Sequence, residues 1–166
     1  MGRGVVMHDF CVWLAATPMS QTIQDISWII PTVQTVHIVS IAIVMTSMAM
    51  LDLRLMGIAG RRQTLTQMAH RLLPWVWITV IVLLCSGTIL IIGEPGRDLQ
   101  NVVFWTKMSL LVTALILAYI FQTVLRRNSS FWDSHRAVAV LLGSVSLVCW
   151  VGIVAAGRWI AYVEHG

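Results

Sequence analysis

The segment from Ser27 to Arg54, SWIIPTVQTVHIVSIAIVMTSMAMLDLR, constrains this chain more than any other. It stays apolar for longer than the ~20 residues a helix needs to cross a bilayer. Within it stands one imidazole, His37, and at its exit Asp52 and Arg54. An ionisable group at such depth turns to the bundle interior or to a water-filled cavity, and it is a candidate site by default. Composition agrees that the solvent is lipid. Of the residues, 58% are hydrophobic and 11% charged, where a soluble domain carries about 25% charged.

Polar breaks divide the apolar sequence into spans of about Ile29 to Leu51, Leu72 to Ile92, Val102 to Leu125 and Ala137 to Val163. Residues 27–166 are therefore expected to form an all-α, integral membrane four-helix up-down bundle. Residues 1–26 are expected to be a separate N-terminal amphipathic interfacial segment. In VVMHDFCVWLAATP, Val6, Phe10, Trp13 and Leu14 share a helical face, and His8 and Asp9 interrupt the apolar run that a signal peptide requires. Thr17 and Pro18 then read as an N-cap and first helical residue.

Charge sets the orientation. The loop after the first span carries Arg54, Arg61, Arg62 and Arg71, and the loop after the third carries Arg126, Arg127 and Arg136, against Asp52 and Asp133 alone. The opposite side has Arg3 and Arg97 among Asp9, Asp25, Glu94, Asp98 and Glu164. The positive-inside rule then predicts a multi-pass protein of a bacterial inner membrane with both termini on the periplasmic side. The net charge of +4 is accounted for by topology, and no solvated basic face is left for nucleic acid. The expected partners are membrane lipid and either a larger membrane protein complex or further copies of the chain. Three cysteines, an odd number, give no disulfide framework.

Trp75, Trp77 and Trp132 read as the inner aromatic belt and Trp28, Trp105 and Trp159 as the outer one. Ser86, Gly87 and Thr88 in the second span permit close helix approach, as do Gly143, Ser144, Ser146, Gly152, Ala156 and Gly157 in the fourth. The short GEPGRD turn makes the second and third spans antiparallel neighbours.

Gln34, His37 and Ser40 share one face of the first span, continued by Ser47, and a polar face in lipid looks inward. Lys107, with Thr106, Ser109 and Thr113, suggests a second inward polar face. Counted at about 1.5 Å per residue, Lys107 and Arg158 fall at similar depth with His37 somewhat deeper. His37, Lys107, Arg158, Gln34 and Met108 are thus the expected cofactor-binding set. Haem b would take His37 on its iron, its propionates on Lys107 and Arg158, and Met108 or His8 as second axial ligand. The same cations and imidazole suit a quinone head group.

In the purely structural reading, His37 bonds to Gln34 or Ser40 and glues helices together, while the two cations snorkel to lipid phosphates. His70 and His135, at the starts of diagonal spans, form a second candidate ligand pair. Met7, His8, Cys11, Met45, Met48 and Met50 offer soft donors to copper(I), although Met is also a routine gap-filler. Asp52 is expected to pair with Arg54 or Arg71 and lock the loop.

The motifs PTVQTVHIVSIAIVMTSMAMLDLRLMG, RLLPW, FWTKM and VAAGRWIAYV resemble an uncharacterised family of small bacterial four-helix inner-membrane proteins. The resemblance covers about Trp13 to Val163. It implies the four-helix fold, draws notice to His37, Asp52, Arg54, Arg71, Lys107 and Arg158, and implies no activity. In size and topology alone the chain is also similar to cytochrome b561-like proteins and to copper-resistance D-type membrane domains, without the two mid-membrane histidine pairs of the former. The functional expectation is a small electron-transfer subunit that binds haem b or quinone in the outer half of the bundle. The alternatives are a non-catalytic membrane subunit that scaffolds a larger complex and a copper-handling permease.

Overall fold

Lipid offers no partner to a bare N–H or C=O, so each apolar segment closes its backbone bonds internally as a helix. The computed structural model describes residues 2–60, 62–99, 101–128 and 130–163, without the side chains of 2–7, 97, 98 and 160–163. Its helices are α1 (Gly2–Ala15), α2 (Pro18–Asp25), α3 (Ile29–Leu55), α4 (Leu65–Gly93), α5 (Pro95–Leu99), α6 (Val102–Arg127), α7 (Phe131–Ser134) and α8 (Arg136–Val163). Four of these, α3, α4, α6 and α8, are long and apolar enough to cross a membrane. The chain is a multi-pass membrane protein whose expected spans are all present.

α3 packs along α4, α6 packs along α8, and α3 meets α8 to join the two pairs. Small residues permit the last contact, because a Cβ added at Gly143 would lie 3.1 Å from the Asp52 carbonyl oxygen. α4 and α6 are neighbours as the short turn requires, but they form the loosest seam of the ring. Among the described residues one side-chain hydrogen bond crosses it, from Trp77 Nε1 to Gln122 Oε1 at 2.8 Å.

Helix ends are closed by side chains. Thr17 caps α2 with Pro18 next. From α2, Ser20 Oγ donates to Ile92 O at 2.7 Å and Gln24 Nε2 to Gly93 O at 2.7 Å, which satisfies carbonyls at the end of α4 that have no helical partner. In α1, Cys11 is buried and its thiol faces Pro95 O at 3.5 Å, while Phe10 and Trp13 pack together and stay exposed. The expected face also included Val6, whose side chain lies outside the described residues.

At the opposite, arginine-rich end, Thr64 and Gln67 form a capping box that starts α4 seven residues before the apolar run. α3 stops where Gly57 takes φ +71°, a left-handed conformation that disfavours any Cβ. Arg136 reaches across from α8, donating from Nη2 to Met56 O at 2.7 Å and from Nη1 to Leu55 O at 3.5 Å. Its charge meets the negative end of the α3 dipole.

Several expectations are corrected. Trp132 is buried rather than at an interface, packed 5.8 Å from Phe121 and 5.2 Å from Phe131, and Trp77 is committed to Gln122. At that end Trp75 is the exposed tryptophan, whereas Trp28, Trp105 and Trp159 are exposed at the other as expected. Thr106, Ser109 and Thr113 face outward. Each returns its hydroxyl to its own helix, at Val102 O, Thr106 O and Ser109 O, which is how a hydroxyl tolerates lipid. Asp52 pairs with neither arginine: Arg54 Nε donates to Gln63 O at 2.9 Å, Arg71 is exposed, and Asp52 is buried without an ion pair among the described residues.

Gly57→Ala would incur the left-handed cost of roughly 1–2 kcal/mol and drive a methyl group into the Arg136 guanidinium. The variant is expected to lower the thermal unfolding midpoint in detergent. Ala at the exposed Ile58 should shift it far less.

Candidate functional site

Two cavities interrupt the α4–α6 seam. The first, about 170 Å³, lies among α3, α4, α6 and α8, and its lining includes His37, Gly87, Lys107, Met108 and Trp150. The rest of its wall is almost wholly aliphatic, with Ile41, Val44, Leu83, Leu111 and Ile153 among the contributors. A mostly apolar chamber holding a few convergent polar groups is the usual form of a small-molecule site.

His37 is fixed by α4. Its Nδ1 lies 2.8 Å from Ser86 Oγ, and Ser86 Oγ lies 2.7 Å from Val82 O, the back-bond a helical serine makes to its own backbone. A hydroxyl has one proton to donate, and the carbonyl takes it. Ser86 therefore accepts from His37, which assigns the ring proton to Nδ1 and leaves Nε2 as a lone pair. No described residue hydrogen-bonds to Nε2. The ring rests against Gly87, where an added Cβ would touch Cε1 at 3.5 Å.

The remaining polar groups come from α6 and α8. Lys107 reaches the same chamber, near enough for its charge to act on the His37 ring. Gly157 stands opposite, where a Cβ would lie 3.9 Å from Lys107 Cε and Nζ, in ordinary contact. Trp150 is 3% exposed, and its indole N–H has no partner among the described residues. The residues of the chamber wall thus include one with a lone-pair acceptor, one with an unspent donor and a cation.

Of the expected cofactor set, the structure brings together His37, Lys107 and Met108. It does not bring in Gln34 or Arg158, both exposed and absent from the cavity wall. Gln34 lies three residues before His37, nearly a full turn, and that offset carries it to the rim of the inward face. Arg158 follows Gly157, and it is the glycine that faces Lys107. Neither Gln34 nor Ser40 is the partner of His37; that partner is Ser86, which sequence reasoning had taken as a packing residue. Trp150 was missed as well, although a tryptophan in mid-span, away from the interfacial belts, is a readable signal.

The other histidines stay apart. His8 is exposed beside Asp9, Nδ1 to Oδ1 3.8 Å. His135 is exposed and stacked 4.4 Å from Phe131. His70 lines the second cavity, about 290 Å³, with Trp77, Gln122 and Arg126, and His135 is not part of that wall. Among the described residues no group of three His, Cys, Asp or Glu side chains could hold a metal ion. Of the soft donors, Met48 belongs to the packed core, Met50 is exposed and Met45 lines the first cavity; the Met7 side chain lies outside the described residues.

Comparison with known proteins gives one match. Residues 19–163 match DUF6644, described as a family of unknown function, and the chain belongs to that family. No curated protein and no solved structure matches, so the likeness to cytochrome b561-like and copper-resistance D-type domains gains no support.

Ser86→Ala removes the acceptor that fixes the His37 tautomer. Nitrogen NMR of 15N-histidine-labelled protein should show the Nδ1-protonated form for His37 in the wild type and a tautomer mixture in the variant. Identical spectra would mean that Ser86 does not set the proton position.

Proposed function

We propose that this DUF6644 protein is a small subunit of a bacterial inner membrane that binds the head group of a quinone or quinol between α4 and α6 and serves electron transfer within a larger membrane complex. The observation that carries the reading is the pairing of a lone-pair Nε2 on His37 with the unspent N–H of Trp150 in one apolar chamber. A quinol hydroxyl donates to the first, and a quinone carbonyl accepts from the second or from Lys107. Both oxidation states find partners, and each leaves fewer buried polar groups unsatisfied. The loose seam gives an isoprenoid tail a way out to lipid. Electrons would pass to or from a redox centre on the partner complex.

Haem b is the weaker reading. His37 and Met108 both line the cavity and could form an axial pair, and an unprotonated Nε2 is the form that ligates iron. The obstacle is volume, since about 170 Å³ falls below even the ~300–1,000 Å³ typical of drug-sized ligands. A porphyrin would require α4 and α6 to part. A copper-handling role has less support, because the soft donors are dispersed over separate regions. For orientation, the arginine-rich loops after α3 and α6 favour the cytoplasm, with both termini periplasmic.

Calorimetric titration with a short-chain benzoquinone analogue in detergent is expected to show His37→Ala weakening binding at least tenfold, about 1.4 kcal/mol. Gln34→Ala and Arg158→Ala should stay within about twofold of wild type, since both side chains lie outside the cavity. Equal affinity in His37→Ala would refute the quinone reading. A Soret band in the purified protein that vanishes in His37→Ala would replace it with haem.

A further inference from the structure

Four buried side-chain atoms among the described residues have no protein partner: Asp52 Oδ2, Ser146 Oγ, Trp150 Nε1 and Trp132 Nε1. Three of them lie along the interface of α3 with α8. Asp52 is 3% exposed and Ser146 1%; Ser146 follows by three residues Gly143, where an added Cβ would lie 3.1 Å from Asp52 O, and neither Asp52 Oδ2 nor Ser146 Oγ completes a hydrogen bond. Trp150 follows Ser146 by four residues, one helical turn, and Met45 precedes Asp52 by seven, two turns. Trp150 and Met45 both line the first cavity. The unsatisfied groups therefore lead from Asp52 to the wall of the His37 chamber.

A lone carboxylate buried in a bundle costs several kcal/mol unless a proton, a cation or a paired charge compensates it. Among the described residues no paired charge is found on any side. On α3 itself, Arg54 is engaged with Gln63 O. On α8, Arg136 is engaged with Leu55 O and Met56 O at the end of α3. On α4, His70 and Arg71 are exposed, as are Arg126 and Arg127 on α6 and Asp133 on α7. Asp52 forms no ion pair with any of these groups. It nevertheless sits one turn from the end of α3, close to the aqueous boundary at the arginine-rich end.

We propose that Asp52, with the Ser146 hydroxyl, is a proton-binding site that exchanges with water at the arginine-rich end and communicates with the His37 chamber past Trp150. Buried polar groups without protein partners commonly hold ordered water, and water on Ser146 Oγ and Trp150 Nε1 would bridge the one turn between them. The assignment deepens the quinone reading, because a quinone gains two protons with two electrons on becoming a quinol, and Asp52 supplies a route for them that does not cross the opposite face. The proton-binding group itself is independent of which ligand the chamber takes.

The test is infrared spectroscopy of the wild-type protein and its variants in liposomes, without added quinone. Wild type should show a protonated-carboxyl C=O band that Asp52→Asn abolishes, Asp52→Glu restores at shifted frequency, and Ser146→Ala displaces. Transfer to heavy water should move the band within minutes. Asp52→Asn should keep benzoquinone affinity within about twofold of wild type, so failure at Asp52 is told apart from failure at His37. The proposal is overturned if none of the carboxyl absorption depends on Asp52, if the band resists exchange for hours, or if sodium at fixed pH removes it, which would indicate a cation site.

Discussion

A polar side chain on a helix in lipid can be satisfied only by its own backbone, by a neighbouring helix or by something the protein binds. That constraint sorts the polar residues of this bundle. Thr106, Ser109, Thr113 and Thr88 close on their own helices, the first three facing outward and Thr88 in the wall of the His37 chamber. Ser20, Gln24 and Arg136 satisfy the ends of other helices. What remains is a short set to which the described residues give no complete partner: His37 at Nε2, Trp150, Ser146, Asp52 and the buried Trp132. All but Trp132 lie on or lead to one chamber.

The His37–Ser86 bond links architecture to chemistry. It joins α3 to α4 where the ring contacts Gly87, and so helps make this the tighter helix pair. It also commits Nδ1, and thereby defines what Nε2 can do. With α3 held to α4 on one side and α6 to α8 on the other, the poorly packed α4–α6 seam is left for the cavities, bridged by Trp77 and Gln122. Since apolar association drives little between helices in lipid, such bridges and close small-residue contacts decide which seams close.

Much of this was legible beforehand, and the reasons can be named. Span positions follow from hydropathy, because bilayer thickness imposes a length on each helix. That His37 and Lys107 share an interior site followed from the cost of leaving either in lipid. Facing was harder to read. Arg158 was expected beside Lys107 on depth alone, but Gly157 holds that direction, and one residue is a 100° turn. Thr106, Ser109 and Thr113 looked like an inward stripe because helical spacing cannot distinguish a polar face from hydroxyls that bond back to their own helix. The pairing of Asp52 with an arginine was inferred from proximity in sequence, whereas Arg54 and Arg136 are drawn to backbone carbonyls at the loop and helix end.

On the proposed quinone reading, the chamber under His37 receives a planar, hydrogen-bonding head group. That reading is tested most directly by irradiating the protein in nanodiscs with a photoreactive quinone analogue and mapping the adducts by peptide mass spectrometry. Adducts on α3 around His37 and on α6 around Met108, displaced by excess unlabelled quinone, are the predicted result. Adducts confined to the lipid-facing residues of the bundle, or unaffected by the competitor, would contradict it.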